Sequence, residues 1–307
     1  MSKYKVVIDE NSNYYDAVSY SFDNKICILN ANADTDIKKI ESISKELSNN
    51  DTVLLFNLTN TNDLLLNMLP KDVKKYLIFE YSIAELSEYV KLNEFLLLMK
   101  YLDMKLINGI YCLNHTTYML LKDKYKAKYL QLDVPSSKKS SGDSIGVITS
   151  SIRQYSSTMN VVSAITLTEF DEIRIYNVEK SVKKFAKKFN VKIFEEKTPD
   201  DAISNNDINL YINFSETCYD LILKSMDRGI PCIVGNTDFF DKNELLKKYL
   251  VVKSDDDINE IKEKILLVKK NKSIIMKEYK EFRKKYKKEA SLNLKTIKNK
   301  LYDAKIV

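Results

Sequence analysis

INLYINFSETCYDLILKSMDRGIPCIVGN, residues 208–236, reads as a buried strand, a helix and a second buried strand. The first apolar run ends in Ser215 and Glu216, a helix follows over 218–228, and Gly229 and Pro231 turn the chain into the next run, PCIVGN (231–236). A strand that is apolar nearly throughout fits the middle of a parallel sheet covered on both faces, because a strand with one wet face would alternate. In open parallel sheets ligands bind beyond the carboxyl ends of the strands, where loops and helix N-termini converge. The polar residues that follow this strand are therefore the first candidates for a working site.

The same pattern extends in both directions. Toward the N-terminus the strand candidates are KVVID (5–9), KICILN (25–30), TVLLFN (52–57), KYLIFE (75–80), INGIYCLN (107–114) and KYLQLDV (128–134). Helical periodicity fills intervals between them, at 36–50 with Ile37, Ile40, Ile43 and Leu47 on one face, and at 83–104. PSSKKSSGDS (135–144) lacks apolar residues and reads as a linker. A second series follows: strands SIGVITS (144–150), EIRIYNV (172–178), VKIFEE (191–196), the two of the opening segment and YLVVKS (249–254), with helices at 158–168, 179–189, 199–205, 239–248 and 257–270. Alternation of this kind predicts an α/β fold of two Rossmann-like domains: residues 1–134, then a linker at 135–144, then 145–270. The site is expected in the cleft between them. Beyond 270, residues Ile275, Tyr279, Phe282, Tyr286, Ala290, Leu294, Ile297 and Leu301 form one apolar stripe, predicting a long basic helical segment over 271–307 that packs on one of the domains.

Composition narrows the function classes. The chain has 307 residues, 44% hydrophobic and 30% charged, which suits a folded globular protein and excludes global disorder. No stretch has the length and apolarity of a membrane span and the N-terminus lacks a signal-peptide pattern, so the expected location is the cytoplasm. Cys27, Cys112, Cys218 and Cys232 stand apart without metal-ligand spacing, so no metal site is expected. Residues 269–300 hold thirteen Lys/Arg and three Asp/Glu, a basic face that an anionic membrane surface at the inner membrane face, or a nucleic acid, would fit. The single histidine, His115, follows a strand of the first domain, and Asp9 and Glu10 end its first strand. A Ser-His-Asp triad is excluded by the absence of a nucleophile elbow, and no Walker loop is present.

The opening segment resembles the nucleotide-sugar signature of retaining GT-B glycosyltransferases, S-E-x-x-P-x-x-x-x-E-x-x-x-x-G-x-P-V. Glu216 stands at the first acidic position, with Ser215 before it, and Gly229 and Pro231 fall at the family's spacing. The resemblance departs at the second acidic position, which is Lys224. In the family that carboxylate accepts hydrogen bonds from ribose hydroxyls, and a charged lysine has no acceptor. Asp220 is a neighbour that could take the role over. More loosely, ITSSIRQYSSTMN (148–160) matches the family's diphosphate loop through its hydroxyls, Ser151 among them, and Arg153. The first domain lacks the family's glycine-rich loop, and the whole chain has five Gly.

The resemblance implies a cytoplasmic GT-B glycosyltransferase of the group 1, family 4-like type, active in glycan biosynthesis. It would move a hexosyl group from a nucleoside diphosphate sugar to a glycan, protein or nucleic-acid acceptor, with retention and without metal or cofactor. Glu216 would orient the donor sugar, Arg153 would stabilise the leaving diphosphate, and His115 would contact sugar or acceptor. Ser151, Thr217, Cys218, Tyr219, Asp220 and Lys224 would bind the nucleotide. The alternative is a catalytically inactive GT-B-like subunit that binds a partner glycosyltransferase or its acceptor.

Overall fold

The computed structural model describes residues 4–9, 12, 14–22, 26–29, 33–48, 51–149, 157–213 and 219–302. Two compact units form: residues 1–135 with 286–307, and residues 136–285.

In the first unit the elements follow one another as β1 (Tyr4–Asp9), α1 (Tyr15–Phe22), β2 (Ile26–Leu29), α2 (Ala33–Glu46), β3 (Thr52–Phe56), α3 (Asn60–Met68), β4 (Lys74–Phe79), a 3₁₀ turn (Ala84–Ser87), α4 (Tyr89–Asp103), β5 (Gly109–Cys112), α5 (His115–Tyr125) and β6 (Lys128–Tyr129). Among the described residues the strands form one sheet in the order β2-β1-β3-β4-β5-β6, every pair parallel. The apolar runs explain it: Val7, Val53, Leu55, Leu77, Phe79, Ile110 and Cys112 enter one core with Ile40, Ile43, Leu65 and Leu98 from the helices. Ile37, expected on the buried face of α2, is 45% exposed, because α2 turns its stripe from Ile40 onward into the core.

Two other expectations are corrected. The helix over 83–104 is broken at Glu88, whose backbone is extended, because Ser82 and Glu85 cap a separate turn: Ser82 N–H donates to Glu85 Oε2 at 2.7 Å and Glu85 N–H to Ser82 Oγ at 3.4 Å. In KYLQLDV only Lys128 and Tyr129 pair as a strand; Leu130, Leu132 and Val134 are buried on irregular backbone.

The second unit runs β7 (Ser144–Val147), α6 (Thr158–Thr166), β8 (Glu172–Tyr176), α7 (Lys180–Lys188), β9 (Lys192–Glu196), α8 (Pro199–Ala202), β10 (Asn206–Tyr211), α9 (Tyr219–Asp227), β11 (Cys232–Val234), α10 (Glu244–Leu250) and α11 (Ile258–Tyr302). Its described strands are parallel, in the order β11-β10-β7-β8-β9. A polar network lies inside this sheet's helix layer. Asn206 Nδ2 donates to Ala202 O and Asn209 Oδ1, Asn209 Nδ2 to Ile203 O and Ser225 Oγ, and Ser144 Oγ to Asn206 Oδ1. Gly146 makes room for it, since a Cβ there would lie 2.0 Å from Asn209 Oδ1 and 2.5 Å from Ala202 O. YLVVKS is not a strand: Tyr249 and Leu250 close α10, and Val251 makes a single parallel bridge to Val234.

The helix expected at 257–270 and the basic segment after it are one helix of 45 residues. Its part up to Lys285 belongs to the second unit and its part from Tyr286 to the first. There Tyr286 Oη donates to Leu132 O at 2.9 Å, and Ala290, Ile297 and Leu301 are buried.

Candidate functional site

The second sheet begins at β7, grows outward through β8 and β9, and returns to place β10 and β11 on the other side. Strand order reverses between β7 and β10, the place where open α/β sheets hold ligands. The loop after β10 then leads into α9. This helix is fixed from below by Ile222, Leu223 and Met226, all fully buried, and it ends where Gly229 takes a φ of 90°. Gly229 N–H reaches Met226 O at 3.0 Å and Ile230 N–H reaches Ser225 O at 3.2 Å, the left-handed closure that glycine enters without steric cost. Gly229 and Pro231 of the sequence pattern thus stand at the glycine stop of α9 and just before β11.

Of the residues singled out in the sequence, Ser151, Arg153, Glu216, Thr217 and Cys218 lie outside the described residues, as does Glu10. Tyr219, Asp220 and Lys224 come together on α9. Tyr219 stacks on Phe239 with ring centroids 4.5 Å apart and donates its hydroxyl to Asp238 Oδ1 at 2.6 Å. Lys224 Nζ sits 3.2 Å from Asp220 Oδ2, the carboxylate buried and the lysine side chain 12% exposed. The lysine at the second signature position is thus turned toward a carboxylate of its own helix.

His115 lies in the first unit, as the first residue of α5. Asn114 caps that helix, its Oδ1 accepting from Thr116 N–H at 3.0 Å and Thr117 N–H at 3.3 Å, and the imidazole packs against Tyr118 and Tyr129. Asp9 closes β1 in the same unit.

Three further residues at carboxyl strand ends escaped the sequence reading. Asp255 lies beyond α10 and the Val251 bridge, beside the residues that follow β11, and accepts from Asn236 N–H at 3.0 Å; burial pushes its carboxyl up to about 6. Gly235 allows this, since a Cβ there would lie 2.8 Å from Asp255 Oδ1. The signal in the sequence was the run Ser254-Asp255-Asp256-Asp257, an acidic turn like many others. Glu80, at the end of β4, accepts from Ser12 Oγ at 2.7 Å, and burial pushes its carboxyl up to about 7. Asn213, just past β10, is 7% exposed, and among the described residues neither its Oδ1 nor its Nδ2 has a hydrogen-bond partner.

Among the described residues no group of three His, Cys, Asp or Glu is placed to hold a metal ion, and no helix is long and apolar enough to cross a membrane.

No protein-family model and no curated protein sequence matches the chain. Solved structures do. HepE from Anabaena, in complex with UDP and glucose, aligns at a TM-score of 0.66 and 9% identity over 99% of this chain and 100% of that one. A glycosyltransferase from Rickettsia africae aligns at 0.61 and 10% identity, over 99% and 98%. TarM aligns at 0.60 and 12% identity over 86% of this chain, which spans only 57% of TarM. At such identities the likeness is one of fold, and it agrees with the two parallel-sheet units: the chain has the GT-B architecture of glycosyltransferases.

Proposed function

We propose that the protein is a glycosyltransferase that moves a hexosyl group from a nucleoside diphosphate sugar to a glycan or protein acceptor, with retention and without metal or cofactor. One observation carries the reading. Gly229 and Pro231 of the signature fall on the glycine stop of α9 and just before β11, beside the reversal of strand order, in a fold that aligns end to end with a UDP- and glucose-bound structure. In this reading Glu216 orients the sugar. Arg153 and the N–H groups at the start of α9 stabilise the leaving diphosphate, with Ser151, Thr217 and Cys218 around it. His115 contributes from the first unit, and the lysine-rich face of α11 suits an anionic membrane surface at the cytoplasmic side.

A second reading has its own observation. Lys224 takes the place of the ribose-binding carboxylate and is paired with Asp220, which suits a GT-B-like subunit that has lost donor turnover and serves a partner transferase. Calorimetric titration with nucleoside diphosphates and their sugars, on the wild type and on Glu216→Ala, separates the two. Micromolar binding of one nucleotide sugar, weakened in Glu216→Ala, with slow release of free sugar, supports the transferase. Absence of binding at millimolar concentration sinks it and leaves the subunit reading.

A further inference from the structure

The buried asparagines of β10 behave in two ways. Asn206 and Asn209 are fully buried, and their amides are satisfied by Ala202 O, Ile203 O, Ser144 and Ser225. Asn213 continues the same strand direction, is 7% exposed, and among the described residues has neither amide atom hydrogen-bonded. Burying an amide group without a partner is destabilising, because its hydrogen bonds to water are lost and not replaced. A sheet that satisfies two asparagines and leaves a third wanting has kept that third one for something else.

Its position says what that is. Alternation along the strand puts residue 213 on the sheet face of Asn209, whose Nδ2 meets Ser225 of α9 at 2.7 Å. Asn213 therefore lies under α9, toward the end where that helix begins at Tyr219, and at the carboxyl end of one of the two strands flanking the reversal of order. The chemistry of the amide is specific. An amide offers a donor and an acceptor side by side, whereas a phosphate oxygen only accepts and would leave Oδ1 facing negative charge. A hydroxyl both donates and accepts.

We propose that Asn213 is a specificity-determining residue of the donor site that hydrogen-bonds hydroxyls of the transferred sugar; this rests on the donor-binding reading above. The test uses the full chain and two variants, Asn213→Leu and Asn213→Ala, with two readouts. Thermal unfolding without ligand comes first: Asn213→Leu, which fills the space without an orphaned amide, is expected to melt at or above the wild-type temperature. Calorimetry comes second, with UDP, GDP and dTDP against UDP-glucose, UDP-N-acetylglucosamine, GDP-mannose and dTDP-glucose. Both variants are expected to keep the free diphosphate's affinity within about twofold and to weaken the matching sugar nucleotide about tenfold, the loss of one hydrogen-bonded hydroxyl. A melting temperature several degrees lower in Asn213→Leu would show a structural amide and overturn the proposal. So would equal effects on the diphosphate and its sugar, or no effect on either. If the wild type bound none of these probes, the donor reading itself would fall and take the proposal with it.

Discussion

Lys224 Nζ lies 3.2 Å from Asp220 Oδ2, one helical turn away on α9, with both side chains nearly sealed from solvent. Removing one member of a buried pair strands the other charge, at a cost of about 3–5 kcal/mol. Lys224→Met is therefore expected to lose roughly that much in urea unfolding, and the double change Asp220→Leu with Lys224→Met to recover most of it. Exchanging the two, Asp220→Lys with Lys224→Glu, keeps the pair and returns a carboxylate to the second signature position. Nucleotide affinity should rise in that variant, and calorimetry reads it directly.

Gly146 admits no side chain. Its Cβ would stand 2.3 Å from Asn206 Nδ2 as well as 2.0 Å from Asn209 Oδ1, so Gly146→Ala must break the asparagine network or bend β7. Overpacking together with lost buried hydrogen bonds predicts about 3 kcal/mol or more. Chemical denaturation should show the loss, and Gly146→Ala combined with Asn209→Ala should not be additive.

Arg283 of α11 grips Asp227 at the end of α9, with Nε 3.1 Å from Oδ1 and a terminal nitrogen 3.0 Å from Oδ2, while Tyr279 Oη donates to the same carboxylate at 2.7 Å. Both charged side chains are under 10% exposed, at 7% and 9%. Arg283→Lys keeps the charge but cannot present the fork. We expect it to destabilise the second unit by about 2–3 kcal/mol, on the way to the full cost of a broken buried pair. The melting temperature of the two variants Arg283→Lys and Tyr279→Phe, the latter the milder, checks the order.

Two carboxyls make stability rise on acidification. Burial pushes Glu80 up to about 7 from 4.5, and Asp255 up to about 6 from 3.8. Each binds its proton more tightly folded than unfolded, so each adds stability as pH falls through its raised value, saturating near its ordinary one. Unfolding free energy measured from pH 8 down to pH 5 should climb, and Glu80→Gln or Asp255→Asn should each flatten the climb. A variant with an unchanged slope would remove its carboxyl from this account.

How far the residues alone led depends on what kind of information each feature carries. Continuous apolar runs such as VLLF and LIF can only be satisfied by a sheet covered on both faces, so the strands and their parallel alternation were legible. Segments failed where apolar content and hydrogen bonding part company: Leu130, Leu132 and Val134 are as buried as any strand, on irregular backbone where the pairing with β5 ends at Leu130 N–H, which donates to Cys112 O at 2.9 Å. Tyr249 and Leu250 looked like the start of a strand and close a helix instead, because α10 is short and capped by Asn243. At the site, the Gly229 stop and the α9 frame followed from spacing. Asn213 did not, since it and Asn209 stand in one run, INLYIN, and differ only in whether a partner is within reach. Asp255 was hidden for a related reason: its neighbour Gly235 gives it room, and nothing in the acidic turn announces that.

The assignment of Tyr286 onward to the first unit, and of everything from Ser136 to Lys285 to the second, has a consequence for biosynthesis. A chain emerging from the ribosome folds in the order in which it appears. The first unit starts before the second and finishes after it, because its closing helical stretch follows the second unit along the chain. The second unit is complete in the interval, enclosed in sequence by a neighbour still waiting for its stretch from Tyr286 onward. Until that stretch emerges, the six-stranded sheet stands without Ala290, Ile297 and Leu301, and the nascent chain in that window is the form in which a chaperone would find it.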